Sequence, residues 1–383
     1  MQSWQLPEHI ADILPNSARH LESAKEQLLA LFRVHGYELV HPPLMEYSDS
    51  LLTHIDPGLS LKTIRVVDQL SGRQLGIRAD ITPQVARIDA HLLSANQGIN
   101  RLCYAGSVLH ARPEGLLTTR EPFQVGAELY GYAGVAADIE LIDLMLKALQ
   151  IGDVGEVILS LGHIGIFRAL AEAANLDTAQ TKQLSEMLRD KDARAVSALV
   201  GNWPLKPQEA AAFAALAQLF GGSEVLTEAR ERLPSLPAVE KALAELQAVV
   251  DAFPSATIHI DLAELRVVEY HTGLLYSVYS SDFHDALARG GRYDGLGKHF
   301  GRARPATGFS FDLRLFAGRL PKQKRPDTVA VAEADLAAAR ETVEQLRREG
   351  VTVAVDYGLP ANSMQNSSRR LVWQDGAWQI IEN

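Results

Sequence analysis

The stretch 163–253 sets the organisation of this chain. It is rich in Ala, Leu, Glu and Gln, has few β-branched clusters, and reads as several consecutive helices. The sequence on both sides returns to strand patterns. A short buried strand at 155–161 ends where the helical stretch begins, and strand-like sequence resumes at 257–262 (TIHIDL) and 274–280 (LLYSVYS). We therefore read 163–253 as a helical insertion within a strand-bearing domain.

Upstream, Leu21, Ala24, Leu28 and Leu31 give one apolar stripe over a helix at 17–34, which Gly36 stops. Tyr37–Val40 reads as a short strand broken by Pro42 and Pro43. Residues 63–69 and 74–78 read as paired strands around Ser71–Gly72. A helix follows at 83–96, then two strands within 101–132 separated by a loop with Pro113 and Gly115, then a striped helix at 136–149. Downstream, GGRYDG at 290–295 reads as a turn-rich loop, and 306–316 as a strand entering a helix. A polar, two-proline linker covers 321–327. After it, 328–331, 335–348 and 351–355 read as one β-α-β unit, with Leu336, Ala339, Val343 and Leu346 on one helix face. The final stretch from Leu359 has weak periodicity and little that would continue a parallel sheet.

Composition narrows the function classes. Asp and Glu number 47 against 37 Lys and Arg, a formal net charge of -10, which lowers the expectation of a nucleic-acid partner. Cys103 is the single cysteine, so no internal disulfide forms, and no Cys/His spacing suggests a metal site. The first residues lack a signal-peptide pattern, and no apolar run approaches the roughly 20 residues that cross a bilayer. These features predict a cytoplasmic protein without a membrane partner. Neither GxxxxGK[ST] nor GxGxxG is present, and no cofactor is expected.

Three short segments carry the chemistry. Arg78-Ala79-Asp80-Ile81-Thr82 puts a cation, an acid and a hydroxyl at alternate positions, where they can share one side of an extended chain. An acid and a hydroxyl together suit a ligand ammonium group. The same residues also fit a strand end with Thr82 capping a helix before Pro83. In Phe123–Glu128, Gln124, Gly126 and Glu128 share one strand face. The amide and the carboxylate are then about 13 Å apart, enough for an amino acid laid lengthwise. A solvent-facing strand fits equally well. Arg266 to Gly273 (RVVEYHTG) is the third, and by itself it also fits a plain loop into the next strand.

Taken in order, these segments resemble the histidyl-tRNA synthetase family, a class II aminoacyl-tRNA synthetase family, over roughly residues 8–320. ADILP and HGYELVHPPLMEY look like its N-terminus and motif 1. RADIT resembles RPEGT, RLCYAG with REPFQVGAELYG resembles motif 2, and RVVEYHTG resembles RGLDYYTG. GGRYDG matches outright, and ATGFSFDL resembles the start of motif 3. The resemblance implies an α+β fold, an antiparallel sheet flanked by helices, with a first domain over 1–320. It implies a truncated remnant of the anticodon-binding domain over 321–383, and a self-dimer through motif 1. It also implies a histidine site. Asp80 stands for a glutamate, Thr82, Gln124, Glu128 and Tyr270 match in kind, Arg266 aligns with an arginine, and His271 replaces a tyrosine, with Val267 in place of a glycine.

The ATP half of the pattern is missing. Motif 2 grips ATP through FRxE, and here the stretch is Leu109-His110-Ala111-Arg112. Neither a gapless alignment nor a one-residue shift restores the arginine and glutamate. In motif 3, Leu315 stands where GLER has its arginine, beside Arg314. Fixed electrostatic stabilisers commonly contribute about 3–4 kcal/mol each to such chemistry, so these losses predict a chain with no catalytic residues. Within the wider family the pattern resembles the ATP phosphoribosyltransferase regulatory subunits. That resemblance implies a short-form catalytic subunit as partner in a hetero-octamer, and histidine as allosteric effector in histidine biosynthesis. The alternatives are a scaffold with a relic pocket and a divergent synthetase.

Overall fold

The computed structural model describes residues 5–52, 57–113, 115, 118–265, 271–316, 318–320, 327–359 and 367–382. Its internal contacts divide the chain into two compact units, Met1–Pro321 and Lys322–Asn383.

The first unit is built on a nine-stranded sheet. In spatial order its strands are Glu38–Leu39, Asn100–Ser107, Phe123–Tyr130, Ala306–Asp312, Ala288–Arg292, Leu274–Tyr279, Ile158–His163, Thr257–Asp261 and Phe220–Gly221. Neighbours run antiparallel except at Glu38–Leu39 beside Asn100–Ser107 and at Ile158–His163 beside Thr257–Asp261. Strand alternation sorts the side chains. Val125, Ala127 and Leu129 enter the main core beneath the helices Pro15–Val34 and Ala136–Gln150. Gln124, Gly126 and Glu128 fall on the opposite face. That face carries a second core of Ile81, Val85, Leu102, Tyr104, Val108 and Tyr130 beneath the helix Thr82–Arg87.

The helices follow their apolar periods. Pro15–Val34 buries Leu21, Ala24 and Leu28, with Phe32 rather than Leu31 completing the buried stripe. Gly36 ends that passage at φ +83. The helix expected at 83–96 begins at Thr82 and continues from Arg87 as a π turn, Ile88–Leu92. Between Ile164 and Ala252 the chain forms six helices and one two-residue strand, and their apolar faces join the main core.

GGRYDG is not simply a loop. Gly290, Gly291 and Arg292 lie inside the strand Ala288–Arg292. The glycines are there because side chains crowd them: a Cβ at Gly290 would sit 2.3 Å from the Tyr276 ring, and one at Gly291 2.6 Å from the His271 ring. A smaller antiparallel sheet joins Met45–Tyr47, Gln74–Ile77 and Ile64–Val67.

The second unit is a four-stranded sheet in the order Thr352–Asp356, Thr328–Ala332, Arg369–Gln374, Ala377–Glu382. Ala339, just before the helix Arg340–Arg348, and Val343 within it pack against Val329, Val331, Val353 and Leu371. The final stretch, in which little was expected to continue a parallel sheet, supplies two strands. Arg369–Gln374 pairs parallel with Thr328–Ala332, and Ala377–Glu382 returns antiparallel. Asp375 and Gly376, at φ +51 and +78, make the turn, a hairpin chemistry that outweighs the weak apolar alternation around it.

Candidate ligand-binding site

Two segments meet on the sheet face that carries the second core. The Gln124 amide braces them: its Oε1 accepts from the backbone N–H of Ile81 at 2.9 Å, and its Nε2 donates to Asp80 Oδ1 at 2.8 Å and to Ser310 Oγ at 3.0 Å. Asp80 Oδ1 also accepts from the Thr82 backbone N–H at 3.0 Å. Thr82 does not act as a helix cap, because the helix starts at Thr82 itself and its N-cap, Ile81, uses no side chain. The Thr82 hydroxyl instead meets the Tyr104 hydroxyl at 3.0 Å.

Glu128 ends this chain of contacts. It is 1% exposed, so the solvent-facing alternative for this strand fails. The Tyr104 hydroxyl donates to its Oε1 at 3.0 Å, and the Tyr293 hydroxyl donates to Oε2. Gly308 lies directly opposite in the neighbouring strand, and a Cβ there would strike the carboxylate. Burial pushes the Glu128 carboxyl up to about 8, against the hydrogen bonds from Tyr293, Thr82 and Tyr104, which favour the ionised form. A carboxyl poised in this way can accept a hydrogen bond from an imidazole N–H or pair with a cation.

Asp80, Thr82, Gln124 and Glu128 thus form one connected polar set. His271 stands near it, its ring edge-on to Tyr293 at 6.3 Å between centroids and against the backbone of Gly291. Arg266 and Tyr270 lie outside the described residues. Sequence reasoning missed Tyr104, Tyr293 and Ser310. Tyr104 was findable, since Tyr104 and Gly106 alternate in RLCYAG as Gln124 and Gly126 do in the facing strand.

The opposite wall of the site is held from behind. Arg292 points to the face opposite Glu128 and is buried against Asp138, with Nη2 to Oδ2 at 2.6 Å. Its guanidinium also donates to the carbonyls of Tyr132 and Gly134 and to Asp294. Its own carbonyl accepts from the Thr272 N–H at 2.7 Å, fixing the backbone next to His271.

The positions that would grip ATP look different. His110 is buried, with Nε2 3.1 Å from the Ala79 carbonyl oxygen. Arg112 is exposed. Leu315 is 43% exposed on a single 3-10 turn, Leu313–Phe316, where an α-helix start was expected. Arg314 is tied to Glu121 at 3.3 Å, so it does not substitute for the missing cation.

The histidyl-tRNA synthetase family model matches residues 9–315. A relative from Neisseria meningitidis serogroup C (strain 053442), an ATP phosphoribosyltransferase regulatory subunit, is 67% identical over 382 residues, covering 100% of both chains. The chain belongs to the ATP phosphoribosyltransferase regulatory-subunit family, on the histidyl-tRNA synthetase fold. Another family member, from Chromobacterium violaceum, is 52% identical over 99% of each chain. A crystal structure of an ATP phosphoribosyltransferase regulatory subunit/histidyl-tRNA synthetase from Bacillus halodurans superposes with a TM-score of 0.82, at 25% identity, over 94% of this chain and 95% of that one. A histidyl-tRNA synthetase from Nostoc sp. PCC 7120, at 16% identity, shares the fold with a TM-score of 0.76, over 100% of this chain and 97% of that one. Membership places the chain among regulatory subunits rather than catalysts. Among the described residues, no helix is long and apolar enough to cross a membrane.

Proposed function

We propose that this chain activates the short-form catalytic subunit of ATP phosphoribosyltransferase and relays histidine feedback in the first step of histidine biosynthesis. Histidine would occupy the face bearing Asp80, Thr82, Gln124 and Glu128, with Arg266, Tyr270 and His271 as the further contacts that the family resemblance implies. The observation that carries this reading is Glu128: a carboxyl kept fully buried between two tyrosine hydroxyls, in a chain whose ATP positions hold Leu315 and an Arg314 already paired to Glu121. Histidine can shift the assembly only by binding its conformations unequally. The same reading places the chain in the cytoplasm as a dimer through its motif 1-like region, within a hetero-octamer of four chains of each kind. It takes 321–383 as a shortened anticodon-binding-like domain.

The test is copurification with the short catalytic subunit, then phosphoribosyl-transfer assays. Activity should require this chain and fall with added histidine, and calorimetry should detect histidine binding. A complex that assembles but binds no histidine overturns the sensing claim.

One observation favours the scaffold reading. Gln124 is bonded at both ends of its amide and Glu128 accepts from two tyrosine hydroxyls within the chain itself, so a purely structural role could retain them. That reading expects Glu128→Ala to leave feedback unchanged while the complex still assembles.

A further inference from the structure

Arg78 is 8% exposed and carries a charge, yet among the described residues it forms no ion pair. Its Nε donates to the Ser107 carbonyl at 2.9 Å and its Nη1 to the Pro42 carbonyl at 2.8 Å. The carboxylate that acts on it at longer range, Glu46, is itself bonded to Arg87 and Gln84 at 2.7 Å each. Burial pulls the guanidinium below its ordinary pKa, the mark of a cation taken from water without a full counter-charge.

The position of the remaining amine is informative. Nη2 lies over Gly106, 2.5 Å from where a Cβ would be, so the glycine makes room for it on the pocket face. Gly106 pairs directly with Gln124 across the sheet. Nη2 of Arg78 therefore lies on the sheet face that carries Gln124, whose amide bonds Asp80, the part of the site suited to a ligand ammonium. Asp80 keeps Oδ2 outside its hydrogen bonds to Gln124 and Thr82. An α-amino acid carries its ammonium and its carboxylate on neighbouring atoms, and here an acid and a guanidinium that are not paired to each other share one face of the sheet to meet them.

We propose that Arg78 is the specificity-determining residue that reads the free α-carboxylate of the effector, through Nη2, next to the ammonium seat at Asp80 and Gln124. This rests on the reading that the site holds histidine. It explains how a sensor without its motif 2 and motif 3 arginines could still tell a free amino acid from a ligand whose carboxylate is masked.

Calorimetry on the full chain with three probes tests it: histidine, histidinamide and histamine, of which the last two lack the carboxylate. The wild-type chain should bind histidine at least about tenfold more tightly than either, as a charged hydrogen bond would give. Arg78→Gln should erase that preference, weakening histidine while leaving the other two nearly unchanged. Arg78→Lys, which keeps the charge but loses the planar fork, should fall between. Equal weakening of all three probes by either variant would mean that Arg78 only ties Pro42 to Ser107, and would overturn the proposal. So would a wild-type chain that binds histidinamide as well as histidine, a result that stands even if Arg78→Gln fails to fold. If the wild type binds histidinamide or histamine tightly but ignores the carboxylate, the parent site survives without this assignment; if it binds none of the three, both fall together.

Discussion

The Glu128 end of the sheet and the segments at 109–112 and 312–316 belong to one scaffold, but they have been treated differently. Around Glu128 the polar groups are buried and bonded into one set, and even the wall behind them is pinned by Arg292 and Asp138. At the other end the side chains have turned to local tasks: Arg314 to Glu121, His110 to the Ala79 carbonyl, Leu315 and Arg112 to the surface. A buried polar group is costly to leave half-satisfied, so it persists as a set. A solvent-facing cation that has lost its ligand costs almost nothing to replace. The contrast therefore separates what the fold must keep from what only catalysis required.

Asp138→Ala attacks the rigid half at its strongest point and should have the largest effect. It strands the buried Arg292 guanidinium, and stability should fall by about 3–5 kcal/mol, read from urea unfolding. A loss below about 1 kcal/mol would mean that the wall behind the site is not held by this pair.

Glu128→Gln probes the site itself. Above about pH 8, where the carboxyl is ionised, histidine affinity should drop by about ten- to a hundredfold in calorimetry, since a charged partner is replaced by a neutral amide. Its effect on stability has a definite sign. The folded carboxyl titrates near 8 against an ordinary 4.5, so the folded state holds the proton more tightly than the unfolded chain. The stability this confers is complete below about 4.5 and is lost as pH rises through about 8. Wild type should weaken between about pH 4.5 and 8 and Glu128→Gln should flatten that slope. An unchanged slope would place the titration elsewhere.

Gly308→Ala should act more modestly and through packing alone. The new methyl meets the Glu128 carboxylate and the Ala127 carbonyl, so about 1–3 kcal/mol of stability should be lost. Loss of the Glu128 slope in the same variant would show that the carboxylate had been pushed off its tyrosines.

The legibility of the sequence followed the same division. The helix stripe of Pro15–Val34 and the alternation of Gln124, Gly126 and Glu128 were readable because each depends on period alone. Tyr293 was not, because GGRYDG has the composition of a turn, while its glycines serve neighbours far away in sequence, Tyr276 and His271. The C-terminal hairpin failed for the opposite reason. Only Leu371 among its residues is buried, so there was little apolar pattern to read, and Asp375–Gly376 was the one signal available. Arg78 was visible as a cation beside an acid, but its seat over Gly106 emerges only from the strand register.

The smallest expected effect is also the sharpest test of the contrast. Leu315→Arg returns an arginine to the motif 3 position on an exposed turn, where a substitution should shift stability by no more than about 0.5 kcal/mol. It should also leave histidine binding unchanged and yield no histidine-dependent ATP–pyrophosphate exchange, because the motif 2 stretch still presents His110 to the Ala79 carbonyl and Arg112 to solvent. Residues that act on one transition state as a unit are not restored one at a time. Measurable exchange from this single change would mean that the ATP half is dormant rather than dismantled, and that the two ends of the sheet differ by one side chain instead of by their whole packing.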